Sequence, residues 1–438
     1  MKRISVLCSL CLLVVGTPAS ATDCENWNTK EFFKTATPKA VTDCLQADTS
    51  LHMAVKYNND PAVIVALLNA GADPNARDQE RGLTPLHSAA EYNDNAAVIT
   101  ALLHAGADPN AQDKLGQTPL HKAAKSNKNT AIVATLLKAG ADPNTRASVS
   151  AGLYFRDNET PLHLAARGNP AIITVLLEVG ADPNISNEDG DTSLHVAVKY
   201  NDNPGVIVAL LDAGADPNAR NNYDRTPMHR AARQHEDSAV IDALLNARAD
   251  SNAHDKEGAT PLHVAVKYNK NPAVVIKLLK AGADPNAQDK FGHQTPLHWT
   301  AWYNENPAVI TALLNAGADP NARTNTGRTP LHAAAKSNEN PAVITVLLNA
   351  GSALNARTNT GKTPLHEAAD SNENPMVVDA LLKAGDELLV HGVLCIEWGP
   401  CYPAGLSEPR DADGKTPWDY AEKNKALQNW FAENFYYD

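Results

Sequence analysis

Residues Thr295 to Arg323 read TPLHWTAWYNENPAVITALLNAGADPNAR, and most of the chain consists of copies of this stretch. Its opening tetrapeptide, Thr-Pro/Ser-Leu/Met-His, begins at Thr49, Thr84, Thr118, Thr160, Thr192, Thr226, Thr260, Thr295, Thr329 and Thr363. The steps between them are 35, 34, 42, 32, 34, 34, 35, 34 and 34 residues, and a divergent copy, Thr416-Pro417-Trp418-Asp419, comes 53 residues after the last. A fixed period in this range is the mark of a repeat architecture, in which each unit buries its apolar face against its neighbours.

The stretch states its own local structure. Thr295 suits a helix N-cap, and Pro296 suits the first helical position because its missing N–H has no intrahelical partner there. A short helix follows, with small residues at Thr300 and Ala301 that admit a neighbouring helix. Asn306-Pro307 repeats the cap-plus-proline device and opens a second helix, whose apolar stripe is Val309, Ile310, Leu313 and Leu314. Gly317 stands where the helix must end in a left-handed conformation, and Asp319-Pro320-Asn321 turns the chain toward the next unit. Helix, turn, helix, Gly-Ala-Asp-Pro-Asn turn and TPLH at this spacing resemble the ankyrin repeat. The resemblance implies an all-α ankyrin-repeat solenoid of about ten helix-turn-helix repeats joined by short β-hairpin loops.

That resemblance is close over residues 48–385 and loose at both ends. Residues 1–21 read as a secretory signal peptide: Met1-Lys2-Arg3, an apolar run from Ile4 to Val15, and the small-residue site Ala19-Ser20-Ala21. Residues 22–47 carry Trp27, Phe32, Phe33, Val41 and Leu45, the apolar side of a degenerate helix pair serving as an N-terminal cap. Residues 386–410 interrupt the pattern with β-favouring residues around a Gly-Pro turn. Residues 411–438, with Trp418, Tyr420, Trp430 and Phe431, read as a C-terminal capping repeat. Within the array, residues 147–158 lengthen one hairpin, and Arg248 replaces the turn glycine of repeat six.

The net charge of −12 becomes −14 once Lys2 and Arg3 are removed. A surface this acidic repels phosphate backbones and argues against a nucleic-acid partner. No later apolar run reaches the length of a membrane span, so the expected product is an exported, soluble, periplasmic or secreted monomer without membrane insertion. Export leaves Cys24, Cys44, Cys395 and Cys401, which allow three pairings or free thiols. Under the ankyrin resemblance, ten stacked repeats at ~10 Å each place the two ends roughly 100 Å apart. On that basis Cys24 pairs with Cys44, and Cys395 with Cys401, pinning the 386–410 insertion.

Candidate chemistry is sparse. Ten of the fifteen histidines close the tetrapeptide, from His52 to His366. The resemblance implies that they brace the hairpins through hydrogen bonds and do not ligate metal. His391, Cys395 and Cys401 lack a fourth zinc ligand, and Asp411-Ala412-Asp413-Gly414 lacks the remaining ligands of a calcium loop. No nucleophile stands beside a unique base. The expectation is a non-enzymatic protein without cofactor or metal. An enzymatic site in 386–410, or a passive spacer, are the other readings.

The variable surface remains. By resemblance, ankyrin proteins hold partner proteins with hairpin tips and with the two residues ending each first helix, on the concave face. Those pairs are Lys56-Tyr57, Glu91-Tyr92, Lys125-Ser126, Arg167-Gly168, Lys199-Tyr200, Arg233-Gln234, Lys267-Tyr268, Trp302-Tyr303, Lys336-Ser337 and Asp370-Ser371. Repeat eight departs from the Lys-plus-Tyr/Ser pattern. It has Trp302-Tyr303 at the helix end, Trp299 within the helix, and Phe291 and His293 in a hairpin one residue longer than its predecessor. In a chain with 5% aromatics this is a local concentration, and exposed Trp and Tyr are common interface anchors. The candidate partner-binding residues are Phe291, His293, Trp299, Trp302 and Tyr303, with Tyr268 and Lys267 from repeat seven.

Overall fold

The computed structural model describes residues 30–43, 47–147, 158–201, 203–234, 239–269, 271–387, 393–395, 401–403, 410–421 and 423–435. Within it, Thr295 has an extended backbone (φ −90°, ψ 166°) and caps the helix Pro296–Tyr303, and Asn306 caps Pro307–Asn315 by accepting the Ala308 N–H at 3.0 Å. Gly317 ends that second helix with φ 91°. The same pair of helices recurs in each of the ten repeats. Leu297, Thr300, Ala301, Val309, Ile310 and Leu313 are fully buried. Burial of each large aliphatic side chain stabilises by about 1.5–3 kcal/mol.

The helices fall into two compact units. One comprises Met1–Asn201 with Val208–Asp216, and the other Asp202–Ile207 with Pro217–Asp438. In each, first helices pack on first helices and second helices on second helices. Thus Pro261–Tyr268, Pro296–Tyr303, Pro330–Ser337 and Pro364–Ser371 form one row, and Pro272–Lys280, Pro307–Asn315, Pro341–Asn349 and Pro375–Glu387 form another. The short helices Lys30–Thr35 and Pro38–Asp43 pack on the two helices of repeat one, and Phe33 is buried there. At the other end, Pro417–Ala421 and Lys425–Phe435 pack on the helices of repeat ten.

Three local expectations are revised. The first helix of repeat one begins at Ala47, ahead of Thr49, because Ser50 replaces the proline that sets the helix start elsewhere. The second helix of repeat ten continues through Gly385 to Glu387, where no Asp-Pro-Asn turn follows to end it. Among the described residues the inter-repeat loops are tight turns, closed at most by isolated bridges and without a longer strand ladder. The loop of repeat seven, for example, closes on two backbone bonds, Asp255 N–H to the Ala259 carbonyl and Gly258 N–H to the Asp255 carbonyl. Isolated bridges pair Ala147 with Glu159 and Ser186 with Thr192. The insertion carries the described two-stranded antiparallel ladder, Val393–Cys395 against Cys401–Pro403, in which Cys395 and Cys401 are register partners. Cys24, Cys44, the export segment and residues 148–157 lie outside the described residues.

Candidate functional site

The repeated polar residues are spent on holding the repeats together. Each tetrapeptide histidine from repeats six to ten joins its own repeat to the loop that follows. His298 Nδ1 accepts the Thr295 N–H at 3.2 Å, and its Nε2–H donates to the Arg328 carbonyl of the next loop at 3.1 Å. His229, His263, His332 and His366 donate likewise to the carbonyls of Ala259, Gln294, Lys362 and Lys415. In the first unit His87, His121 and His163 donate to Gln117, Glu159 and Asp191. The carbonyl fixes the tautomer: Nε2 must carry the proton, so Nδ1 is the acceptor. Burial pushes His121, His163, His229, His263 and His298 down to about 4, against the pull of the carbonyl acceptors.

Buried asparagines do comparable work. Asn304 Nδ2 donates to the carbonyls of Val266 (2.9 Å) and Asn269 (3.3 Å), and its Oδ1 accepts the Asn306 N–H. It thereby satisfies carbonyls at the open C-terminal end of the preceding first helix. Asn338 and Asn372 repeat the arrangement one and two units on. A second ladder runs through the Gly-Ala-Asp-Pro-Asn turns, where Asn286 Nδ2 donates to the Gly317 carbonyl and Asn286 Oδ1 accepts the Asp319 N–H.

What the skeleton does not use is concentrated at the first-helix ends. In the first unit Lys56 Nζ lies 4.4 Å from the Tyr92 ring centroid, and Lys199 Nζ 4.6 Å from that of Tyr200. In the second unit the Arg233 guanidinium carbon sits 4.5 Å from the Tyr268 ring. Lys267 Nζ lies 5.2, 5.0 and 4.4 Å from the rings of Tyr268, Trp299 and Tyr303. Lys267 and Tyr268, read from sequence as flanking residues, thus join repeats six, seven and eight into one row of alternating cations and rings.

Beside that row, a pocket of about 320 Å³ opens between the loops and helix ends of repeats eight and nine, lined by Phe291, Gln294, Trp302, Tyr303, Asn325 and Arg328 among others. Phe291 is 74% exposed and Tyr303 51%. These three aromatics were legible in the sequence, whereas Asn325 and Arg328 enter only because the loop of repeat nine stacks on that of repeat eight. Asn325 N–H donates to the Gly292 carbonyl at 2.9 Å across this step. Arg328 is held by the buried Glu367 at 3.0 Å.

Four of the seven sequence-read candidates do not line the pocket: Lys267 and Tyr268 belong to the row beside it, and Trp299 and His293 serve the loop. Trp299 is half-buried, and its indole N–H donates to Asp289 Oδ2 at 2.9 Å. Asp289 Oδ1 meanwhile accepts the N–H groups of Gly292 and Gln294, so Trp299 braces the longer loop from below. It also meets His263 edge-to-face at 5.3 Å. His293 holds φ 55°, the left-handed conformation that the inserted residue of this loop requires, at a cost of about 1 kcal/mol for a non-glycine residue.

The family model for ankyrin repeats (3 copies) matches residues 51–147, 148–221, 194–289 and 292–391. The chain belongs to the ankyrin-repeat family. No curated protein matches it. Among solved structures, the chain is similar to the ankyrin repeat domain of Bcl-3, described as a unique member of the IkappaB protein family. The two are 30% identical over 52% of this chain and 99% of that one, with a TM-score of 0.44. Ankyrin repeats generally mediate protein–protein interaction, so the exposed helix ends and loops of this ankyrin array are where a partner is to be sought.

Proposed function

We propose that the protein is a non-enzymatic scaffold that holds a partner protein on the first-helix ends and loops of repeats seven to nine. The observation that carries this reading is the pocket lined by Phe291, Trp302 and Tyr303, where Phe291 and Tyr303 stay exposed while the repeated Val309, Ile310 and Leu313 are buried. Rigid aromatic side chains supply contact area with little rotamer entropy to lose. In this reading the N-terminal segment exports the chain to a periplasmic or extracellular setting, where it acts as a monomer. Cys24–Cys44 and Cys395–Cys401 are then disulfides, and the strand register at 395 and 401 supports the second pairing.

The test is Trp302→Ala combined with Phe291→Ala. Partner capture from the matching compartment should weaken at least about thirtyfold, with the helical signal and melting temperature near wild type. Ile276→Ser, on an exposed position of a second helix, should leave capture intact. Undiminished capture by the double variant would remove repeat eight as the site.

A further inference from the structure

Several cations on the first-helix side of repeats six to ten are paired with carboxylates. Arg225 is paired with Asp255 at 3.2 Å, Arg328 and Lys336 share Glu367 at 3.0 and 3.6 Å, and Lys362 pairs with Asp370 at 3.4 Å. Arg233 and Lys267 have no carboxylate partner among the described residues; what they touch is aromatic rings. Both flank Tyr268, which places them within about 10 Å of each other, two to three residues of an extended chain at ~3.3–3.6 Å each. The nearby carboxylate of Asp289 is buried and committed to the Trp299 indole and two backbone N–H groups.

Among the described residues, then, these two cations lie against rings and are paired with no carboxylate. In a chain of net charge −12, the described residues here form a locally positive strip beside an aromatic pocket. A bare cation on a ring keeps most of its attraction for an incoming anion, and the stacking has already fixed its side chain. On the far side of the pocket, Arg328 shares Glu367 with Lys336.

We propose that this strip receives an extended acidic segment of a protein partner. Two of its carboxylates, two or three residues apart, meet Arg233 and Lys267, and a neighbouring aromatic or large aliphatic side chain enters the pocket of Phe291, Trp302 and Tyr303. The inference rests on the reading that the helix-end face is the binding face, and it names the chemistry of what binds there.

The experiment is a display selection of random twelve-residue peptides on the full chain, followed by titration of the winning synthetic peptides. The expected winners are net negative with at least one aromatic or Leu residue, and their affinity falls about tenfold between low and physiological salt. Lys267→Met and Arg233→Met keep an unbranched stem over the rings and remove the charge; each should weaken the acidic peptide about tenfold. A Glu→Gln version of the peptide should bind wild type and these variants equally. Neutral or basic winners, or an acidic peptide indifferent to both charge variants, would overturn the proposal. If Trp302→Ala with Phe291→Ala abolishes peptide binding while the charge variants do not, the site stands and its acidic preference falls. If neither set matters, the binding face itself is wrong. A single-stranded oligothymidylate that displaces the peptide at equal affinity would mark a general polyanion strip and also overturn the proposal.

Discussion

Acidification from about pH 7.5 to about pH 5 should destabilise the protein steeply through its bridging histidines. In each of them Nε2–H donates to a carbonyl and Nδ1 accepts a Thr N–H, so a second proton on Nδ1 would confront a donor inside a buried site. Burial has lowered His121, His163, His229, His263 and His298 to about 4, and has lowered His87, His332 and His366 as well. The folded values lie below the unfolded value of 6.5, so between about pH 6.5 and 4 the unfolded chain binds protons that the folded chain refuses. Stability is therefore complete above that window and is lost as pH falls through it. At pH 5 each imidazole near 4 contributes about 2 kcal/mol of destabilisation. His229, His263 and His298 together then cost the second unit roughly 6 kcal/mol, comparable to the whole net stability of many domains, about 5–15 kcal/mol. Urea titrations followed by helical circular dichroism at several pH values would give the slope, and His298→Gln should reduce that slope by about one proton. NMR titration of the imidazoles decides the matter: resonances that titrate near pH 6.5 in a chain that stays folded would refute the reasoning.

Two further outcomes follow from single features of the array. Arg248 occupies the left-handed turn position with φ 64°, where eight other repeats place glycines at 86–97°. Arg248→Gly relieves side-chain strain there and should raise stability by about 0.5–1 kcal/mol after the added unfolded-state entropy, as read by urea midpoint; a drop in stability would mean that the exposed Arg248 side chain contributes more than the strain removes. Truncation before Asp411 removes the Lys415 carbonyl from His366 and the Asn424 amide from the carbonyls of Ala369 and Asn372, and it uncovers the faces on which the last two helices pack. The truncated chain should aggregate and melt lower, because repeat stacks are held by nearest-neighbour terms; an unchanged monomer and melting curve would show that residues 411–438 are not a cap.

The sequence by itself determined the elements and their punctuation. Thr295-Pro296 and Asn306-Pro307 act within one turn of their own position, Gly317 is read from the conformation its turn demands, and the stripe Val309, Ile310, Leu313 and Leu314 follows from helical spacing, although Leu314 at its edge is only half-buried. The aromatics of repeat eight were visible because none of the other nine copies places a tryptophan at the end of its first helix. What the sequence could not supply was the partner of any group that acts across the stack. That Lys267 lies over the Trp299 and Tyr303 rings, that Asp289 holds Trp299, that Asn304 satisfies the carbonyls of Val266 and Asn269, and that Arg328 reaches the pocket beside Trp302 all depend on how one repeat is offset against the next. Trp299 shows the difference most plainly. Read locally, it is an aromatic on a short helix; in the stacked structure it fastens the longer loop and so leaves Phe291 and Trp302 to line the pocket. Local periodicity fixes a residue's place on its own helix, whereas its neighbours some 30 to 38 positions away are chosen by packing distances and angles that no single repeat encodes.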